Sequence, residues 1–182
     1  MFDKFKYNHG IRLLVKEYNN FSRICKACNL SEAGKIGIIY NATNHDNFNT
    51  IKSFVNYLKS DTPEVTAMGY VDRKELGDSH IKPSGFSFFC KKDLNWHMKP
   101  IEESIINFIN TNFDILIDFD FQETLPMKYV VAESRSTFKV GRSGSDKYNK
   151  FYDLTLNINN DPDIHTYFIE QLKIYLNMIK TK

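Results

Sequence analysis

Two aspartates, Asp118 and Asp120, end the apolar run FDILIDFDF and are well placed to do chemistry. Side chains alternate in direction along a strand, so carboxylates two residues apart lie on the same face. Such a pair could bind a hard cation such as Mg²⁺, or divide the acid and base roles of a reaction. The pair is therefore a candidate metal or catalytic site, and the alternative is a solvated strand end followed by a helix cap.

Polar residues also follow a second apolar run, in the stretch NATNHDN at positions 41–47. Asn41, Thr43 and Asn44 precede a segment with helical periodicity, and the N–H groups and positive dipole end of a helix amino terminus attract anions. We predict that these three residues contribute to an anion-binding site. The alternative is that Thr43 or Asn44 only caps the helix.

The glycine patterns of common nucleotide sites are missing from the chain. The stretch 41–47 contains no glycine, and no Gly-Lys-Ser/Thr sequence occurs. Glycines let the backbone approach a pyrophosphate closely in dinucleotide and P-loop sites. We therefore expect neither an NAD nor an ATP site of the standard kinds, and the sequence indicates no particular cofactor.

A third candidate is the basic segment SRSTFKVGRSGSDKYNK, which carries five basic residues against one acidic residue. Arg135, Lys139 and Arg142 lie in its first half. We predict a flexible basic loop whose side chains contact the phosphates of a nucleotide or RNA, or an acidic protein surface. A plain solvated loop between two strands is the alternative.

The spacing of Cys25 and Cys28 matches half of a zinc site or a redox motif. No second ligand pair accompanies them, and both continue the apolar periodicity of a helix predicted over Gly10–Cys28. We therefore predict that both pack in the core. Three cysteines in a chain of this size favour a reducing compartment without disulfides.

The elements that must position these residues alternate between strand and helix patterns. Strands are predicted at KIGIIYN, EVTAMGYV, GFSFFC, FDILIDF, STFKV and FYDLTLNI. The segments between most of them have helical periodicity. This alternation predicts an α/β fold: a three-layer Rossmann-like sandwich with a mostly parallel sheet of five or six strands flanked by helices. We expect one domain over residues 1–182, with residues 1–34 as a helical extension packed on a core at 35–182.

In open α/β sheets, ligands bind beyond the carboxyl ends of the strands, where the strand order reverses. If KIGIIYN and EVTAMGYV run outward on one side of the sheet and FDILIDF starts the other side, this reversal lies between KIGIIYN and FDILIDF. Residues 41–46, 118–122 and 135–150 would then meet at one crevice.

The composition of the chain excludes several classes of protein. With 42% hydrophobic and 25% charged residues, the chain is neither disordered nor fibrous. No apolar run approaches the 18 residues of a membrane helix, and the first ten residues lack the apolar centre of a signal peptide. We therefore expect no membrane insertion and a cytoplasmic location. Residues 1–35 and 134–150 each carry a net charge of +4 and residues 36–133 carry −5, which permits an anionic partner.

The runs KIGIIYNAT, FDILIDFDFQETLPMKYVVAESRSTFKVG and FYDLTLNINNDPDIHTYFIEQLKIYL resemble a family of small bacterial proteins, a domain of unknown function common in Bacteroidota. The resemblance covers most of Lys35–Lys180 and implies a bacterial cytoplasmic origin, with no activity attached. Phe113–Gly141 is also similar to the amino-terminal half of heptosyltransferase-type glycosyltransferases. That half does not bind the nucleotide sugar, and this chain is too short to contain the other half.

Three functional hypotheses follow. The first is a module that binds an anionic small molecule or macromolecular partner at the predicted crevice. The second is an enzyme of metal-assisted phosphate or glycosyl chemistry that uses Asp118 and Asp120. The third is a protein- or RNA-interaction module, which would dock through its basic N-terminal helix and the aromatic residues of FSFFCKKDLNW.

Overall fold

The structure, a computed structural model, describes residues 2–44, 47–77, 84–159 and 163–180, and these contain six strands and six α-helices. The strands are β1 (Lys35–Asn41), β2 (Glu64–Val71), β3 (Phe86–Cys90), β4 (Ile115–Asp118), β5 (Phe138–Arg142) and β6 (Leu154–Leu156). The helices are α1 (Phe2–Asn19), α2 (Phe48–Lys59), α3 (Glu103–Asn110), α4 (Leu125–Glu133), α5 (Asp146–Asn149) and α6 (Ile164–Met178).

The strands form one parallel sheet in the order β3-β2-β1-β4-β5-β6. Ile38 in β1 pairs with Ala67 of β2 on one side and with Ile117 of β4 on the other. The predicted Rossmann-like parallel sheet is confirmed, and its strand order reverses between β1 and β4.

Helices cover both faces of the sheet, which confirms the three-layer architecture. On one face lie α2 and α6, with the buried residues Ile51, Phe54, Val55, Leu58, Phe168, Ile169, Leu172 and Leu176. On the other face lie α1, α3 and α4, with buried residues that include Leu14, Ile105, Phe108, Ile109, Met127 and Val130. The central strands are buried from both sides, which is why their sequences are almost continuously apolar.

The N-terminal helix α1 packs against α4. The Tyr129 hydroxyl on α4 donates to the Gly10 carbonyl at 2.7 Å, and Leu14 is fully buried. A Cβ atom at Gly10 would lie 2.4 Å from the His97 carbonyl oxygen. The glycine therefore permits a close approach between α1 and the loop before α3.

The predicted helix over Gly10–Cys28 is helical only to Asn19, where α1 ends. Contacts with the start of β5 replace helical ones after that point. The Lys26 N–H donates to the Thr137 carbonyl at 3.0 Å, and the Arg23 guanidinium donates to the same carbonyl at 3.0 Å. These tertiary hydrogen bonds override the apolar periodicity, so the prediction is wrong beyond Asn19.

The predicted core packing of the two cysteines is wrong for Cys25. This residue is exposed, and its thiol donates to Asp153 Oδ1 at 3.1 Å. Cys28 is half-buried and packs against the core. The hydrogen bond to Asp153 raises the pKa of Cys25, and burial raises the pKa of Cys28. Neither thiol therefore has the lowered pKa of a reactive cysteine.

The start of α3 is fixed by a cap. The helix begins at Glu103, and Glu102 is the N-cap, whose carboxylate accepts a hydrogen bond from the Ser104 N–H at 2.8 Å. Ile101 precedes the helix and is 58% exposed.

The strand β6 lies at the edge of the sheet next to β5 and spans only three residues. The side chains just before it turn to other partners, Tyr152 to Asp118 and Asp153 to Arg23. His45 and Asp46, in the predicted anion-binding stretch, lie outside the described residues. In the described part of the chain, no helix is long and apolar enough to cross a membrane.

Candidate functional site

Two adjoining cavities open at the carboxyl ends of the central strands, where the strand order reverses. The larger cavity has a volume of about 490 Å³ and lies beyond β1 and β4, beside the amino terminus of α2. The smaller cavity has a volume of about 170 Å³ and lies beyond β4 and β5. Phe121, Gln122 and Arg142 line both cavities, so one ligand could extend from one into the other.

The floor of the smaller cavity is a buried cluster around Asp118. Its Oδ2 accepts hydrogen bonds from Lys128 Nζ at 2.8 Å and from the Tyr152 hydroxyl at 2.5 Å. Lys128 Nζ also donates to the Tyr152 oxygen at 2.7 Å. Burial opposes the charge on Lys128, but the carboxylates of Asp118 and Asp120 outweigh it and raise the lysine pKa. Lys128 and Asp118 therefore form a buried ion pair.

Asp120 has a different environment from Asp118. Its Oδ2 accepts from the Thr124 N–H at 2.6 Å and from the Thr124 hydroxyl at 2.7 Å. Its Oδ1 is buried and has no hydrogen-bond partner among the residues described. Burial raises the pKa of Asp120 to about 6, and the nearby Asp118 carboxylate adds to the effect while Lys128 opposes it. The two aspartates are thus unequal: both oxygens of Asp118 accept hydrogen bonds, whereas Asp120 keeps one oxygen without a partner among the described residues.

Hydrogen bonds tie together the loops that form the cavity walls. Glu123 holds the loop after β5, because its carboxylate accepts from the Ser145 N–H at 2.7 Å and from the Ser145 hydroxyl at 2.6 Å. Asn41, at the end of β1, donates to Gln122 Oε1 at 3.1 Å. A Cβ atom at Gly144 would lie 2.1 Å from Glu123 Oε1, so a larger residue at this position would displace the Glu123 side chain.

The turn after β5 does not offer its backbone to an anion. The Ser143 N–H donates to the Leu156 carbonyl, the Gly144 N–H to Asn149 Oδ1 and the Ser145 N–H to Glu123. All three amides are therefore occupied. Any anion at this turn must rely on side chains.

Around the larger cavity, amide side chains predominate. They belong to Asn41, Asn44, Asn47 and Gln122. Amides both donate and accept hydrogen bonds, so they suit the polar, uncharged parts of a ligand. Thr43 also lines the cavity, and its hydroxyl accepts a hydrogen bond from the Asp72 N–H at 2.8 Å. The N-cap of α2 is Asn47, so the predicted capping by Thr43 or Asn44 is wrong.

Aromatic rings form the far wall of the larger cavity. His165 stacks on Phe119 with ring centroids 6.2 Å apart, and it contacts Phe121 at 4.8 Å. Burial lowers the pKa of His165, which keeps its imidazole neutral at pH 7. The Arg142 guanidinium lies 5.8 Å from the centre of the Phe121 ring, and its Nε donates to the Ile158 carbonyl at 3.2 Å. Arg142 is the single Arg or Lys among the described residues lining this cavity.

The structure separates the three predicted basic residues. Arg142 lies at the cavities, but Arg135 precedes β5 and lines a different cavity at the opposite end of the sheet. Lys139 is fully buried inside β5, and its Nζ donates to the carbonyls of Val131 at 2.6 Å and Ala132 at 3.2 Å. Burial lowers the pKa of Lys139 to about 7. The prediction of one flexible basic loop is wrong, because this segment contains β5 and α5 and crosses the sheet.

The donor chemistry of the two aspartates favours hydrogen bonding over metal binding. Both oxygens of Asp118 already accept hydrogen bonds, since its Oδ1 takes the Asp120 N–H at 2.7 Å. Within the described ranges, no group of three or more His, Cys, Asp and Glu residues converges to hold a cation. Mg²⁺ and Ca²⁺ take several oxygen ligands, which this pair does not supply.

The aromatic residues proposed as a docking surface are mostly internal. Phe86, Phe88 and Phe89 lie in β3 and are buried, so they stabilise the core. Trp96 is 55% exposed, and its ring stacks on His9 of α1 with centroids 4.8 Å apart. The exposed aromatic surface predicted there is therefore reduced to the region around Trp96.

Lys128 and Tyr152, the two side chains that bond Asp118 Oδ2, were not identified from the sequence. Lys128 is the one charged residue in the middle of the otherwise apolar stretch LPMKYVVA, and it is 2% exposed. A charge inside an apolar helix is a signal that could have identified it, because buried lysines are almost always paired. Tyr152 gives no comparable signal, since its contact with Asp118 joins residues 34 positions apart.

Comparisons with known proteins support the resemblance to a family of unknown function that the sequence indicates. No curated protein and no solved structure matches the chain. The local similarity to heptosyltransferase-type glycosyltransferases gains no support from these comparisons. One family model matches residues 6–179, almost the entire chain, and it has no assigned activity. The chain therefore belongs to the family of unknown function DUF6913.

Proposed function

We propose that this protein binds a small organic anion in the larger cavity. The proposal rests on the position of Arg142. This cation lines the cavity at the point where the strand order reverses. The amino terminus of α2 lies on the same cavity, and helix amino termini attract negative charge. The anion would lie between these two positive groups.

The other charges around the cavity fit this proposal. Asp72 also lines the cavity, but Lys91 Nζ lies 3.1 Å from its Oδ1, and the Tyr70 hydroxyl donates to the same oxygen at 2.9 Å. Its negative charge is therefore partly compensated. His165 is neutral at pH 7 because burial lowers its pKa. Neither group therefore opposes an anion beside Arg142.

The neutral part of the ligand would contact the four amide side chains and the Phe121 ring. An organic anion with polar groups, such as a nucleotide, a nucleotide sugar or a sugar phosphate, has this mixed chemistry. We propose that the protein binds this ligand in the cytoplasm, because its three cysteines are free thiols.

Thermal-shift measurements on the purified protein test the proposal. The panel is inorganic phosphate, nucleotides, nucleotide sugars, MgCl₂ and a short RNA. A ligand at 100 times its Kd adds about 2.7 kcal/mol to the free energy of unfolding, which is readily seen as a rise in Tm. We expect at least one small anion to raise Tm in the wild type.

Two variants locate the binding site, and one serves as the control. Arg142→Ala removes the cation, and Asn44→Asp adds a negative charge at an exposed position on the rim. Both should reduce or abolish the shift. Arg135→Ala removes an arginine at the opposite end of the sheet and should retain it. An equal shift in all variants, or a shift with RNA alone, would overturn the proposal. Each variant is first measured without ligand, because Arg142 Nε also bonds the Ile158 carbonyl.

A further inference from the structure

We propose that the smaller cavity is a subsite for a hydroxyl group of the bound anion, with Asp120 Oδ1 as the hydrogen-bond acceptor. This inference rests on the proposed function, because the two cavities share Phe121, Gln122 and Arg142. An anionic group beside Arg142 would place the rest of the ligand at the mouth of the smaller cavity. The ligand class is then narrower than an organic anion: it is a hydroxylated one.

The first observation is the acceptor itself. Asp120 is 3% exposed and lines the smaller cavity. Thr124 occupies its Oδ2 through two hydrogen bonds, whereas its Oδ1 has no partner within the described part of the chain. A buried acceptor without a partner destabilises the protein, and the more so when it is charged. A ligand donor at Oδ1 would recover this cost.

The second observation is a donor on the same cavity. Lys128 also lines it, and its ammonium group has three protons. Two of these protons go to Asp118 Oδ2 and the Tyr152 oxygen. The described residues supply no third acceptor within hydrogen-bond distance. The residues that line the cavity therefore include one acceptor oxygen without a partner and one ammonium group with a proton to spare.

This pairing selects the chemistry of the occupant. A hydroxyl group both donates and accepts, so it can serve Asp120 and Lys128 together. A phosphate or carboxylate only accepts, and it would face three carboxylates, those of Asp118, Asp120 and Glu123. An ammonium group only donates, and it would lie against the Lys128 charge. Among these groups, the hydroxyl satisfies both partners.

The class of ligand follows from the two cavities together. Its anionic group contacts Arg142, and a hydroxyl on the same molecule reaches Asp120. Nucleotides, sugar phosphates and polyol phosphates share this chemistry. Their deoxygenated analogues keep the anion and lose the hydroxyl, which makes matched pairs available.

Isothermal titration calorimetry at pH 8 with two matched pairs tests the subsite. The first pair is adenosine 5′-monophosphate and its 2′,3′-dideoxy analogue, and the second is glycerol 3-phosphate and propyl phosphate. Inorganic phosphate gives the affinity of the anion site alone. We expect at least one hydroxylated member to bind the wild type about tenfold or more tightly than its partner, since a charged acceptor is then satisfied.

Asp120→Asn is the decisive variant, because it keeps the shape of the side chain and removes the charged acceptor. The preference for the hydroxylated probe should fall to less than about threefold, while the affinity for the deoxygenated probe stays within about twofold of the wild-type value. The amide resonance of Thr124, which donates to the same carboxylate, should shift with the hydroxylated probe only. A purely structural Asp120 would change both affinities alike.

The outcomes separate this inference from the proposed function. If both members of each pair bind the wild type equally and compete with inorganic phosphate, the hydroxyl subsite is overturned and the anion site stands; water would then occupy Asp120 Oδ1. If neither inorganic phosphate nor any phosphate ester binds, the anion site fails and the subsite fails with it. A preference that persists in Asp120→Asn would also overturn the subsite.

Discussion

Lys128 Nζ lies 2.8 Å from Asp118 Oδ2, and both side chains are almost completely buried. The lysine comes from α4 and the aspartate from the end of β4, so the pair fixes the helix against the sheet directly beneath the smaller cavity. Tyr152 bonds both partners and connects them to the chain before β6. Three segments of the fold therefore meet at one buried charge pair.

Breaking this pair should destabilise the protein strongly. Asp118→Asn leaves the Lys128 ammonium buried without its charged partner, and we expect a loss of about 3–5 kcal/mol in the free energy of unfolding. Urea denaturation followed by circular dichroism measures this. The double variant Asp118→Asn/Lys128→Met removes both charges and should recover a large part of the loss. A single variant within about 1 kcal/mol of the wild type would show that the ion pair does not hold the site together.

Asp120→Asn, in contrast, should stabilise the protein relative to the wild type as the pH rises. Burial raises the pKa of Asp120 from 3.8 to about 6, so the carboxyl group favours the folded state below pH 3.8 and loses this contribution as the pH rises through 6. The amide does not titrate. The stability of the variant relative to the wild type should therefore increase between pH 4.5 and pH 8, by on the order of 1–3 kcal/mol. Urea denaturation at both pH values measures it, and a constant or decreasing difference would contradict the burial of the charge.

A second pH-dependent group lies between α1 and α4. Lys99 Nζ contacts Glu17 at 3.0 Å and Glu133 at 2.7 Å. Burial raises the pKa of Glu133 to about 7; Lys99 opposes the shift and Glu17 adds to it. Glu133 therefore contributes stability below pH 4.5 that is lost as the pH rises through 7.

Glu133→Gln removes this titration, so its Tm relative to the wild type should increase from pH 5.5 to pH 8. Differential scanning fluorimetry across this range measures the trend. Glu103→Gln, at an exposed position on α3, is the matched control and should run parallel to the wild type. A parallel profile for Glu133→Gln would mean that Glu133 is ionised throughout.

The close approach at Gly10 gives a packing test. Gly10→Ala places a Cβ atom 2.4 Å from the His97 carbonyl oxygen, and we expect the clash to cost about 1–3 kcal/mol despite the better helix propensity of alanine. Gly34→Ala is the control, since its Cβ atom would have an ordinary contact of 3.5 Å with Asp114. A Tm for Gly10→Ala at or above the wild-type value would show that α1 is not packed as closely as described.

The sheet could be predicted well because its signals are local. Continuous apolar runs predicted β1, β2 and β4, and the stripe of Phe48, Ile51, Phe54, Val55 and Leu58 predicted α2. The segment after Asn19 could not be predicted in this way. Its apolar residues repeat as in a helix, yet Ile24 is 79% exposed and the backbone is held by the start of β5.

The position of the candidate site in the fold could be predicted, but the contacts of its side chains could not. The loops after β1 and β4 do meet where the strand order reverses, as expected from the general behaviour of such sheets. The two aspartates, however, were expected on one face of a strand that continues past Asp118. The strand ends at Asp118, and the Asp120 N–H turns back to donate to the Asp118 carboxylate at 2.7 Å. Their different roles depend on Lys128, Thr124 and Tyr152, whose contacts are tertiary.

The hydrogen bonds between the cavity loops have a consequence for the thermodynamics of binding. Glu123 bonds Ser145, and Asn41 bonds Gln122, so the loops are held by contacts within the chain itself. A ligand that enters would therefore find the walls in place and would not have to order them. Binding to such a preorganised site loses little conformational entropy of the protein, so even a ligand of few atoms can bind with useful affinity.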